Sequence, residues 1–248
     1  MPKSNVLTLN LRSQQLCPDK RVWNHWQVVE RRLKVPAAKT LILVCDMWDT
    51  HVSQAAAQRV NALAPRMDRV LKQARSRGVQ IVHAPNDCMD FYAGTPARLR
   101  MKSAPHCQPP AGAPHDEPPA PLSPGSDSPA IDTPCRSVPW IRQNERLHID
   151  HERDGISVSG SEVYNYMQQH GVTQYVIMGV HTNCCILART FGIKQMVRWG
   201  VPTALVRDLT DALYNPAQAP YVSHDEGTAL VVGYIERFWC PTISSDEL

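Results

Sequence analysis

The sequence predicts a three-layer α/β fold built on a mostly parallel sheet of six strands. Two observations carry that expectation. Short runs that are apolar throughout, such as Leu41-Ile42-Leu43-Val44-Cys45 and Val176-Ile177-Met178, read as strands buried on both faces. Between such runs lie segments with apolar residues at helical spacing, and regular strand–helix alternation produces a parallel sheet with helices on both sides. A third observation concerns chemistry. Two of the apolar runs end in reactive side chains, and open α/β sheets bind ligands at the carboxyl ends of their strands.

The elements follow in order. Residues 1–38 form a polar extension, with an alternating piece Val6-Leu7-Thr8-Leu9 and two tryptophans, Trp23 and Trp26. This piece suits an edge strand or an arm on a partner subunit. Residues 39–248 form one domain. Its first strand covers 41–45, followed by a helix over 56–77 carrying Val60, Leu63, Met67, Val70, Leu71 and Ala74 at helical spacing. Gly78 ends that helix, and a second strand covers 79–84. Residues 103–139 hold eleven of the 21 prolines, so the chain makes a long non-helical excursion there. It is expected to cross the rim at the carboxyl ends of the strands. Then come a strand over 147–150, a helix over 161–170, a strand over 174–178 and a helix from Cys185 to Thr190. A strand over 203–206 and a helix over 223–237 close the domain.

Composition excludes several classes. A net charge of +3 with no Lys/Arg-rich run argues against nucleic acid as a partner. Eight cysteines without a CxxC pair argue against a disulfide framework or zinc ribbon and for a reducing, cytoplasmic setting. No apolar stretch reaches the ~20 residues of a membrane span, and the first residues lack a signal-peptide core. No P-loop or GxGxxG is present, so no nucleotide cofactor is expected. The expected partners are a small-molecule substrate and further copies of the chain in a homo-oligomer.

The segment Val180-His181-Thr182-Asn183-Cys184-Cys185 takes a buried strand through a tight turn into a helix. A thiol in the first helical turn faces unpaired amides, which favour its thiolate and offer donors to an oxyanion. The bland alternative is a pair of buried packing cysteines. Upstream, Asp46 ends the first strand, where a carboxylate can take the thiol proton and pass it to a leaving amine.

Together the two segments resemble the isochorismatase-like cysteine hydrolases, the superfamily of nicotinamidases and N-carbamoylsarcosine amidases. The family's nucleophile signature is Gly, two residues, Thr, two residues, Cys. Gly179, Thr182 and Cys185 fit that spacing, and Asp46 fits the catalytic aspartate. The resemblance spans roughly 38–235 and implies a Rossmann-like, isochorismatase-type hydrolase fold. It implies a cis peptide between Val180 and His181, and an oxyanion hole made by the His181 and Cys185 amides. Cys184 is left to packing.

The family's third catalytic residue is a lysine ending the strand before the nucleophile strand. This chain has no lysine between Lys102 and Lys194, and the place falls among His151, Glu152 and Arg153. Glu152 is the expected replacement. Arg153 is the alternative, with fixed charge and different geometry. Trp48 and Asp49 after the first strand, with His83 and Arg153, are expected to contact substrate. Nicotinamidases bind a divalent metal through an Asp-x-His pair and a second His. Here Asp49-Thr50-His51 has that spacing in the wrong loop, so no metal is expected, and Asp49, His83 and Asp87 are the candidates if one binds.

The resemblance thus implies a cysteine-dependent hydrolase of a small amide or related C–N bond, working through a thioester. The alternatives are altered chemistry run by Glu152 and Asp46, or an inactive small-molecule binder that kept the fold.

Overall fold

A computed structural model describes residues 5–19, 23–128 and 138–248. The chain begins with a long antiparallel hairpin, β1 (Val6–Cys17) and β2 (His25–Pro36), whose register pairs Val6 with Pro36 and Cys17 with His25. Then follow β3 (Thr40–Cys45), α1 (Gln54–Ser76), β4 (Gln80–Ala84), α2 (Met89–Tyr92) and α3 (Pro96–Ser103). After the proline-rich excursion come β5 (Gly155–Ile156), α4 (Gly160–His170), β6 (Gln174–Val180) and the single turn α5 (Cys185–Ala188). The chain ends through α6 (Ile193–Arg198), β7 (Thr203–Asp211), α7 (His224–Phe238) and β8 (Thr242–Ile243).

The sheet order is β2-β1-β8-β7-β6-β3-β4-β5. From β8 to β5 neighbouring strands run parallel, while β1 pairs antiparallel with both β8 and β2. The six-strand expectation therefore describes the parallel part, and the N-terminal hairpin raises the total to eight. β1 is amphipathic: Leu7, Leu9 and Leu11 are buried. β2 is a mostly exposed edge, and Trp26 lies edge-on to Phe238 of α7 at 5.5 Å.

Alternate faces of the central strands feed two cores. Leu41, Leu43, Ile177 and Leu205 pack with α4 and α7, and Ile42, Val44, Val176 and Val206 pack with α1. Burying β3 and β6 on both faces explains their continuous apolar runs. No helix among the described residues is long and apolar enough to cross a membrane.

Two expected elements differ. The strand expected over 147–150 does not form. Asp150 instead closes a turn, accepting from the amides of Arg153 and Asp154 through its carbonyl and from that of Glu152 through its side chain. The pairing strand is β5, five residues on. The helix expected from Cys185 to Thr190 is one turn, ended by Arg189 in an extended conformation.

The excursion divides. Near its start Cys107 is tied to Asn165 of α4, and further on Tyr234 of α7 donates to the Pro118 carbonyl and His115 stacks on Trp239 at 4.2 Å. Gly125 and Asp127 then reach the carboxyl end of the sheet, where Gly125 N–H donates to Leu213 and Asp127 pairs with Arg59. Residues 129–137, with Pro129 and Pro134, lie outside the described residues.

Candidate active site

β3 lies between β4 and β6, so successive strands leave it in opposite directions at this point of the sheet. Such a switch point opens a crevice at the carboxyl ends of the two diverging strands. Asp46 ends β3 there, and the loop after β6 carries His181 to Cys185.

The two strands are in close contact at their ends. Gly179 pairs with Cys45 and has φ +114°, and a Cβ there would lie 2.1 Å from the Cys45 carbonyl oxygen. Only glycine fits that approach. Asp46 itself sits at φ 49°, a left-handed conformation unusual for a residue with a side chain. The Val180–His181 peptide is cis. The following loop is latched to β7: Thr182 shares a hydroxyl hydrogen bond of 2.7 Å with Thr210, and the Asn183 amide group both donates to and accepts from the backbone of Leu213.

Asp46 is fully buried, yet each oxygen is occupied. Oδ1 accepts from the Asn86 amide at 2.9 Å, and Oδ2 accepts from Nε of Arg189 at 3.0 Å, with Nη2 of the same guanidinium also 3.0 Å away in the ion pair. Burial and the neighbouring Cys185 push the Asp46 carboxyl upward, and Arg189 opposes them. Cys184 and Cys185 are free thiols with sulfurs 3.8 Å apart. The pair shares its protons. Cys184 is lowered by its contact with Cys185, while Cys185 is pushed up to about 11 by Cys184 and by burial, with the neighbouring His181 ring opposing them.

That outcome corrects the expectation of a helix-stabilised thiolate. A one-turn helix aligns too few peptide dipoles to outweigh burial and a neighbouring thiol. Burial and Cys184 therefore favour the thiol form of Cys185 over its thiolate.

Neither Glu152 nor Arg153, the residues expected at the place of the family lysine, pairs with Asp46; the cation there is Arg189. Glu152 is exposed on the Asp150 turn, and its carbonyl accepts from Arg100. Arg153 is exposed and pairs with Asp150. Both assignments followed from taking 147–150 as the strand. Arg189, four residues past Cys185, returns to the same side of the single turn and meets Asp46.

His83 is likewise reassigned. It lies on the β4 face shared with Ile81, toward α1, and is fully buried. Its Nδ1 meets Gln143 at 3.0 Å and its Nε2 meets Asp154 at 3.1 Å, while Arg75 clamps Asp154 through two hydrogen bonds. Burial alone would raise Asp154, but the bonds from His83 and Arg75 hold its carboxyl well below the usual range. Asp49 accepts from the Ile141 amide, and Asp87 is exposed. The trio Asp49, His83 and Asp87 is thus not assembled.

Trp48 does border the site. It packs with Ile156, Trp140 and Cys185, stacks on Trp140 at 4.3 Å and donates to the Asn86 carbonyl. His51 and His181 complete this aromatic cluster, with ring centroids 4.9 Å apart. His51 Nδ1 accepts from the Ser53 amide, so in the neutral ring Nε2 holds the proton. Burial and His181 lower His51 to about 4, which keeps it neutral at pH 7.

A search of curated protein sequences matches none to this chain. Solved structures do match in fold. A cysteine hydrolase from Pseudomonas syringae pv. phaseolicola 1448A is similar at TM-score 0.50 and 15% identity, over 86% of this chain and 92% of that one. An isochorismatase from Pseudomonas putida KT2440 is similar at TM-score 0.50 and 10% identity, over 86% and 91%. At these identities the likeness concerns the fold. The family model for the isochorismatase domain matches residues 40–221, from the start of β3 to beyond β7. The chain belongs to the isochorismatase family of hydrolases.

Proposed function

We propose that this hydrolase cleaves a small-molecule amide or related C–N bond through a thioester on Cys185. The observation that carries the reading is the buried carboxylate of Asp46, held by Arg189 beside the Cys185 thiol. A carboxylate raised by burial is a stronger base, which narrows its gap to the raised thiol.

Asp46 takes the Cys185 proton as the sulfur attacks the substrate carbonyl. The amides of His181 and Cys185 receive the developing oxyanion. The C–N bond breaks, the amine leaves with the proton from Asp46, and the acyl group stays on sulfur. Asp46 then takes a proton from water, which attacks the thioester and frees the acid and the thiol. Arg189 stays charged throughout and acts as a positioning residue: it orients Asp46 and stabilises its anion.

Trp48, Trp140 and neutral His51 favour a flat, uncharged substrate body beside the nucleophile. Ammonia release from a panel of small amides and ureido compounds, with wild-type protein and Cys185→Ala, tests the reaction class. We also propose self-association through the N-terminal hairpin, on which Leu16, Trp23 and Val28 are exposed. Sedimentation of the full chain checks this, with a monomer as the contrary result.

A further inference from the structure

The cluster at the loop after β6 has a property the hydrolytic reaction does not use. A ring nitrogen of His181 and the sulfurs of Cys184 and Cys185 all lie within 4.8 Å of one another. A tetrahedral zinc site with Zn–S bonds near 2.3 Å places its sulfurs about 3.8 Å apart. The Cys184 and Cys185 sulfurs stand 3.8 Å apart, so the thiol pair already has that separation. The His181 ring needs to close by roughly 1 Å to bring its nitrogen to bonding range. A second observation also points to a ligand. His181 is 1% exposed, and its Nε2 is buried without a hydrogen-bond partner. A buried polar atom left in that state gains from any acceptor of its lone pair or proton.

We propose that His181, Cys184 and Cys185 form a binding site for a thiophilic divalent cation such as Zn2+. One imidazole and two thiolates suit a borderline-soft ion and give poor selectivity for Mg2+ or Ca2+. Binding replaces the two thiol protons by two metal–sulfur bonds and releases both protons to solvent, so affinity rises with pH. Three protein ligands leave a fourth position for water. Because Cys185 is one of the three, a bound cation takes the nucleophile out of the hydrolytic reaction. Cys184 gains a role: it makes a lone nucleophile into a chelating pair.

The test is optical and needs no substrate, so its outcome is separable from that of the hydrolase reading. Fully reduced protein is titrated with Co2+ under anaerobic conditions, and the near-ultraviolet thiolate-to-cobalt absorption is followed. The expected result is a band saturating at one equivalent and bleached by Zn2+. Cys184→Ser and His181→Ala should each weaken Co2+ binding at least tenfold, with Cys184→Ser also losing about half the band, since one thiolate remains. Circular dichroism of both variants establishes that they fold. A Co2+ titration unchanged by Cys184→Ser would overturn the proposal. So would a wild-type protein that shows no band at tenfold excess Co2+ while thiol titration finds both cysteines reduced.

Discussion

Arg189 donates through Nε to one oxygen of Asp46 at 3.0 Å, with Nη2 equally close in the ion pair, and places a fixed positive charge beside a fully buried carboxylate. The other Asp46 oxygen is held by the Asn86 amide. A buried anion without such partners would protonate, and a protonated Asp46 cannot serve as a base.

Arg189→Gln should lower turnover on the order of 10²-fold with little loss of fold. Burial already raises Asp46, and Arg189 opposes that rise. Removing the cation raises the carboxyl further, so the acid limb of the rate profile must move to higher pH. Arg189→Lys should restore part of the rate. An acid limb that stays in place in Arg189→Gln would show that the charge does not act through Asp46.

Glu152→Gln should change turnover less than about twofold, because an exposed side chain on the Asp150 turn is screened by water. Steady-state kinetics on the two variants, Arg189→Gln and Glu152→Gln, separates the two assignments. A damaging Glu152 change with a silent Arg189 change would reverse them.

The strands leading to Asp46 and to the Cys185 turn, β3 and β6, were legible in the sequence because burial on both faces leaves an uninterrupted apolar run. Arg189 was not, although its spacing of four from Cys185 carried the signal: one helical turn returns the chain to the same side. Residues 146–154 have the polar pattern of a strand end, but Asp150 turns the chain back there before β5 forms. His83 was misread through strand parity. It alternates with Val82 and Ala84, so it shares the Ile81 face and meets Arg75 and Asp154 rather than the crevice. The hairpin could be suspected from Val6 to Leu9, but its pairing with β8 depends on contacts more than 200 residues apart.

Asp154→Ala should destabilise the fold by about 3–5 kcal/mol, since it leaves the Arg75 guanidinium buried without its partner. The folded carboxyl lies below its unfolded value. Its contribution is therefore complete above the unfolded carboxylate pKa of about 3.9 and is lost as pH falls below it. Urea denaturation from pH 7 to pH 3 checks both statements. Equal acid sensitivity in wild type and Asp154→Asn would remove Asp154 from the explanation.

Gly179→Ala should unfold the protein or cost several kcal/mol, because its Cβ would collide with the Cys45 carbonyl at a φ that side chains rarely adopt. Thermal melting measures this. A variant with an unchanged melting temperature would mean that β3 and β6 can separate at little cost.

The central claim is that Cys185 carries the acyl group after Asp46 takes its proton. The most direct measurement is rapid acid quench of enzyme turning over an amide found in the ammonia-release panel, followed by mass spectrometry of the peptide containing Cys184 and Cys185. The account predicts an acyl mass on Cys185 that hydroxylamine removes. The adduct should be absent, with turnover lost by at least about 10³-fold, in Cys185→Ala. Undiminished hydrolysis by Cys185→Ala, with no adduct in the wild type, would contradict it.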